Sequence, residues 1–244
     1  IIGGTTALIG TAVMLTQTNI KSALAWSTLS QMGFMLLQCG LGAFAAATLH
    51  IVAHSLYKAH AFLSSGSTVD MAQTLPGPLS IQRPRATSLL TAIAGSLLIL
   101  VAMGILWGVT PEKEPAIVAL GAILVMGLSQ LFLRGLNGGH GLRIVLRFSL
   151  SVAGLAFVYF GLQHGAAQLM HGLVPEAVAP DTATKAFAVL LVVLFGAVSV
   201  MQYFGFTWTA RWPSAYVHVS NGFYANTLFD RITGSLHGSV SEQK

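Results

Sequence analysis

Apolar runs near the length of a bilayer crossing, broken by short turn-like segments, fill most of this sequence. A spanning helix needs about 20 predominantly apolar residues. By that rule seven stretches are candidates: 1–15 (short), 23–40, 44–66, 86–109, 115–133, 144–164 and 185–206. Between them lie Gln17-Thr18-Asn19, Gly40-Leu41-Gly42, Pro76-Gly77-Pro78, Thr110-Pro111, Asn137-Gly138-Gly139 and the stretch from Pro175 to Pro180, all turn chemistry. The predicted fold class is therefore all-α, a polytopic membrane helix bundle of about seven transmembrane helices over residues 1–206. Residues 207–244, mixed polar and aromatic, are expected to form a cytoplasmic or interfacial tail. Composition agrees: 54% of residues are hydrophobic and 8% charged, against about 25% charged in an ordinary soluble domain. Such a chain cannot cover a soluble surface, so membrane lipid is its first partner.

The loops supply an internal check. If seven helices alternate, Lys21, Arg83, Arg85, Arg134, Arg143, Arg147, Arg211, Arg231 and Lys244 share one side, nine of the 12 basic residues. The loops with Glu112, Lys113 and Glu114, and with Glu176 and Asp181, fall on the other. Excess Lys and Arg mark the cytoplasmic side of a membrane protein, and a miscounted helix would scramble that sorting. The same rule accounts for the net charge of +5. With no basic run and no basic–aromatic interleaving, nucleic acid is excluded as a partner. The single cysteine, Cys39, excludes a disulfide framework or a multi-cysteine metal site. The chain opens on Ile1-Ile2-Gly3-Gly4, with no initiator Met or charged leader, already inside an apolar run. It is expected to be a truncated or processed piece of a longer protein, and not to begin with a signal peptide.

Against this background the third stretch is anomalous, because it holds His50, His54, Lys58 and His60. Ionisable groups at bilayer depth cost at least about 2.5–3.5 kcal/mol each, and they face a bundle interior or water. At the helical pitch His54 lies about 40° and Lys58 about 80° from His50, so the three form one stripe over two turns. Ser65 returns to that stripe and Tyr57 flanks it, whereas His60 falls nearly opposite Lys58. Neighbours at this spacing stand about 6 Å apart, a gap that one water bridges. Histidine titrates near neutral pH, and desolvation makes an amine a better proton donor. The stripe therefore suits stepwise proton transfer.

Two other readings compete. His-x-x-x-His on a helix can bind zinc, but the metalloprotease form needs Glu after the first His and residue 51 is Ile. A lysine one turn on opposes a cation, and no Cys, Asp or Glu third ligand is near in sequence. The plainer reading makes all three satisfied structural polar groups, which explains one histidine better than a three-residue stripe. The second stretch adds Ser27, Ser30 and Gln31, residues that glue helices and order water. Lys21, near its start, is an ordinary interfacial anchor on the plain view. Gly33, Gly40 and Gly42 allow close helix approach or a break.

Taken together, Asn19-Ile20-Lys21, then Ala25-Trp26-Ser27-Thr28-Leu29-Ser30-Gln31-Met32-Gly33, then His50-Ile51-Val52-Ala53-His54-Ser55-Leu56-Tyr57-Lys58-Ala59-His60-Ala61-Phe62-Leu63 resemble a known family. These are the antiporter-like proton-channel subunits of respiratory complex I (subunit L, the mitochondrial subunit 5) and of Mrp-type cation/proton antiporters. Asn19 stands where the family has Asp, and Trp26 where it has Tyr. The resemblance implies that His50, His54 and Lys58 lie on a central hydrophilic axis that carries protons, with Lys21, Ser27, Ser30, Gln31 and Tyr57 supporting it.

The departures matter as much. The family's exit lysine, in Phe-x-Ser-Lys-(Asp/Glu), has no counterpart between Asp70 and Arg147; only Arg134, after Gln130, could stand in. The long lateral helix of complex I subunit L is also missing. The ending from Tyr216 to Arg231 instead resembles the DabB branch, the membrane subunits of inorganic-carbon pumps. That resemblance implies a bacterial inner-membrane, multi-pass subunit coupling cation flux to CO2 hydration in a zinc-binding, carbonic-anhydrase-like partner, DabA. Other complex I or Mrp subunits are the alternative partners, and a structural scaffold with an inactive axis is a third reading. No cofactor is expected in this chain, since no Gly-x-Gly-x-x-Gly follows a strand and one Cys cannot hold an iron–sulfur cluster. The zinc is expected in the partner. The entry half of the family's proton path is expected to lie outside this chain.

Overall fold

The computed structural model describes residues 1–66, 86–108, 121, 123–130, 132–133, 142–174, 181–203 and 213–241. They are helical nearly throughout: α1 (Ile2–Met14), α2 (Ile20–Gly40), α3 (Phe44–Leu63), α4 (Ala86–Leu106), α5 (Leu142–Leu169), α6 (Thr182–Tyr203), α7 (Pro213–Ser220) and α8 (Ala225–Ser241), with a 3-10 turn at Gly222–Tyr224. The described residues between 121 and 133 are also helical. Over the described residues the chain is an all-helical membrane protein.

Among the described residues, three helices are both long and apolar enough to cross a bilayer: Thr87–Leu106, Leu146–Leu169 and Thr182–Ser199. That is fewer than the seven spans expected, for physical reasons. Apolar α1 has 13 residues, short of the ~20 that a crossing takes. The 21 residues of α2 and the 20 of α3 are long enough, but Ser27, Ser30, Gln31 and Gln38 in one, and three histidines and a lysine in the other, lower their mean hydropathy. The stretch 115–133 lies partly outside the described residues.

Local chemistry sets the ends of these helices. Asn19 caps α2, its side-chain oxygen accepting from the Lys21 N–H at 2.9 Å and the Ser22 N–H at 3.4 Å. The α2–α3 connection turns on Gly42, whose φ of +78° suits a residue without a Cβ. The Ala43 N–H then reaches back to the Gln38 carbonyl at 2.9 Å. Asp181 caps α6, accepting from the Thr184 N–H at 3.0 Å. That cap starts the helix at Thr182, three residues before the apolar run that marks it in the sequence.

Helices α1 and α2 meet backbone to backbone. A Cβ on Gly33 would stand 2.6 Å from the Ala7 nitrogen, and one on Gly10 would stand 2.8 Å from the Ser30 nitrogen. Small residues permit this approach where lipid gives no hydrophobic drive to association. Ser30 then ties the pair, its Oγ 2.9 Å from the Ala7 carbonyl and 2.7 Å from Thr11 Oγ1. Leu191 of α6 packs over Gly4 and joins Leu37, Leu41 and Ala188 in a small core. A larger core forms where α4, the helical residues of 121–133 and α5 meet, around Ala92, Leu128, Val152 and Ala156.

The tail returns to the first helices. Gln17 donates through Nε2 to the Ser220 carbonyl at 3.0 Å, and the Tyr216 hydroxyl to the Thr16 carbonyl at 3.4 Å. Gly222, Phe223 and Tyr224 then have φ of +61°, +53° and +58°. A left-handed backbone costs about 1–2 kcal/mol for each residue with a Cβ, so the turn needs outside support. From it α8 departs, leaving Leu228, Phe229 and Ile232 exposed on one face.

Candidate functional site

The antiparallel pair α2 and α3 builds the site. Ser27, Gln31, Phe34 and Gln38 recur at i, i+4, i+7 and i+11 and so line one stripe of α2. Opposite run Lys58, His54 and His50 of α3. Lys58, only 6% exposed, donates through Nζ to Ser27 Oγ at 2.5 Å and to the Leu24 carbonyl at 3.1 Å. At the other end His50 Nδ1 lies 3.1 Å from the Gln38 side-chain oxygen, a hydrogen bond that the Nδ1–H tautomer donates. The Phe34 and His50 rings pack edge to face, centroids 5.7 Å apart.

His54 stands between these two fixed ends. Its ring meets His50 edge-on at 6.2 Å, and its buried Nε2 has no hydrogen-bond partner among the described residues. The register of the Ser27–Lys58 and Gln38–His50 pairs brings Gln31 level with His54, with no hydrogen bond between them. The stripe is thus three polar groups in a row, tethered at both ends and open in the middle. An ammonium has three donors and Lys58 spends two on α2. The histidine one turn away is the nearest titratable group along the stripe.

The other expected residues are spread more widely. Tyr57 is exposed, its ring centroid 5.9 Å from Lys58 Nζ, at the outer reach of a cation–π contact. Ser30 bonds to α1 and not to the stripe. Lys21 is exposed in the first turn of α2. Ser65 is buried and donates to the Phe62 carbonyl at 2.8 Å, closing its own turn. Arg134 lies outside the described residues. Gln38, 5% exposed, does not stand out in the sequence, although its spacing from Ser27 and Gln31 is a usable signal. The role of the Leu24 carbonyl has no sequence signal.

Comparison with known proteins places this geometry. Residues 1–76, which hold the whole stripe, match the transmembrane family of NADH:quinone oxidoreductase and Mrp antiporters. A probable inorganic carbon transporter subunit, DabB2, of Halothiobacillus neapolitanus is 34% identical over 248 residues, covering 95% of this chain and 42% of that protein. The DabB of Bacillus subtilis is 34% identical over 219 residues, covering 89% of this chain and 39% of that protein. The NAD(P)H-quinone oxidoreductase chain 5 of a Picosynechococcus species is 45% identical, but over 67 residues, or 28% of this chain and 10% of that protein. The chain spans less than half the length of these relatives. The family of the quinone oxidoreductases therefore accounts for the stripe, and the DabB relatives for nearly the full chain. Residues 1–76 thus carry the antiporter-like membrane domain, and over nearly its whole length the chain resembles membrane subunits of the DabB type.

Proposed function

We propose that this chain is a proton-conducting section of the membrane subunit of an energy-coupled inorganic-carbon pump, in a bacterial inner membrane. His50, His54 and Lys58 form the path, and Ser27, Gln31 and Gln38 line it from α2. Lys21, Ser30 and Tyr57 support the axis from its margins, and Arg134 serves as its exit. The observation that carries the reading is Lys58: a buried ammonium, held on one helix by two acceptors of another, one turn from a histidine with an unpaired nitrogen. A proton arriving at His54 has Lys58 on one side and His50 on the other. Charge on one member disfavours charge on the next, so occupancy moves stepwise.

The similarity to DabB proteins over nearly the whole chain supports the carbon-pump assignment. On that reading the cation flux drives CO2 hydration in a peripheral, zinc-binding DabA-like partner. The zinc and the hydration chemistry belong to the partner, and this chain needs no cofactor. The test is rescue of a carbonic-anhydrase-deficient strain by the whole gene with its partner, in ordinary air. Lys58→Ala and the double His50→Ala/His54→Ala variant should fail while reaching normal membrane levels. Rescue at the wild-type rate would sink the relay.

The match of residues 1–76 favours a second reading, a proton-translocating subunit of a quinone oxidoreductase or an Mrp-type antiporter. Co-purification separates the two: one zinc protein in the first case, several redox or antiporter subunits in the second. A scaffold with an inactive axis predicts instead that apolar replacement of the stripe leaves activity intact.

A further inference from the structure

We infer that Trp26 is a positioning residue for the Lys58 contact, held in place by the left-handed turn at residues 222–224. Both acceptors of Lys58 lie in one turn of α2, the Leu24 carbonyl and the Ser27 hydroxyl. The Leu24 carbonyl also accepts from Thr28 Oγ1 at 2.9 Å, so that turn is committed on two sides. Trp26 sits between the two acceptors in sequence. Its indole lies against Gly222, where an added Cβ would stand 2.6 Å from Cζ2 and 2.9 Å from Cη2. Gly222 thus meets two demands at once, a φ of +61° and a flat seat for the ring.

The seat is braced on several sides. Gln17 holds the Ser220 carbonyl at 3.0 Å, Tyr216 reaches the Thr16 carbonyl at 3.4 Å, and the rings of His218 and Tyr224 pack edge-on at 5.5 Å. Strained backbone persists where its surroundings over-determine it, and here those surroundings are the α1–α2 turn and the face of Trp26. The tail therefore presses on the segment of α2 that holds Lys58. A load on α8, which leaves directly from the turn, reaches Lys58 by way of Trp26. The purpose of that link rests on the proton-path reading, but its existence is a matter of geometry and is tested without transport.

The experiment uses the full chain in lipid nanodiscs and a membrane-permeant amine reagent, with labelling of Lys58 and of exposed Lys21 read by peptide mass spectrometry. Lys21 is the internal reference. Trp26→Ala and Gly222→Val should raise the Lys58-to-Lys21 ratio several-fold. Trp26→Phe, which keeps an aromatic face, and Gly234→Ala, with open space around it, should leave the ratio at the wild-type value. An unchanged ratio in folded Trp26→Ala overturns the inference, and does so even if transport is lost. Should neither Trp26→Ala nor Gly222→Val fold, Gln17→Leu decides. It cuts the Ser220 tether without touching Trp26, so a raised ratio supports the latch and a wild-type ratio overturns it.

Discussion

A buried ammonium in lipid costs at least about 2.5–3.5 kcal/mol, and Lys58 carries that cost at 6% exposure. An apolar group of similar volume carries no such desolvation cost. Lys58→Met should therefore keep or raise the thermal unfolding midpoint in detergent and, on the proposed function, abolish transport by the whole protein; a large loss of stability would make Lys58 a structural group. Gln38→Leu should act differently. It leaves His50 Nδ1 without its acceptor, at a cost of about 1–3 kcal/mol, readable by denaturant titration, and frees the ring to turn. At this scale the stripe on α3 was legible because helical phase alone assembles it. Its partners on α2 were half legible. Ser27 and Gln31 stand out as polar residues, but Gln38 shares their stripe and looks ordinary until His50 is placed opposite. Ser30 shows the limit of composition: a serine in the right helix, spent on α1 because it sits on another face.

Helix α2 is held by its glycines as much as by its polar side chains. Gly33→Leu demands room for a Cβ at a point 2.6 Å from the Ala7 nitrogen and 2.8 Å from the Gly3 carbonyl oxygen. Backbone cannot give way there, so α1 and α2 must part. Overpacking of this kind costs about 1–3 kcal/mol, and Gly33→Leu should lower the unfolding midpoint. Gly40→Ala, with nothing within 4 Å, should change it little. Helix α6 supplies a pH test. The side-chain and backbone hydrogen bonds from Thr184 hold the Asp181 carboxyl below its usual range. A lowered folded value means stability that is present above the unfolded pKa of about 3.9 and lost as pH falls through the folded one. Wild type should thus lose α6 stability below about pH 4, while Asp181→Ala lacks that increment at neutral pH and shows no such acid loss. Hydrogen exchange at the start of α6 reads both. The cap also explains why hydrophobicity alone places this helix start late: the first turn is polar, and only Asp181 marks it.

Across the whole molecule, the bonds from Gln17 and Tyr216 bring the end of α1 and the tail to one end of the bundle. These are the segments of Lys21 and Arg231, which charge sorting groups together. Helix α2, 21 residues long, spans about 30 Å at 1.5 Å per residue and carries the exposed native Cys39 at its far end. An impermeant maleimide applied to sealed, oriented vesicles should label Cys39 from one face. In a Cys39→Ser background, Asn19→Cys and His218→Cys should both label from the opposite face; labelling of those two from different faces would contradict the tail's position. The meeting of Gly222 and Trp26 was not legible. It joins distant parts of the chain through a backbone conformation that side-chain patterns do not announce.

The low hydropathy of α2 and α3 has a consequence during synthesis. A segment with a lysine and three histidines gains less from lipid than the uniformly apolar α4 does. The three residues between α2 and α3 leave no slack for one to enter the bilayer while the other waits outside. The pair must insert as a hairpin, with the backbone seam of α1 ready to receive α2. The helices that hold the polar stripe are thus the ones that depend on their neighbours to reach the membrane at all, and a weakened α1–α2 seam should show first as a lost yield of membrane-inserted protein.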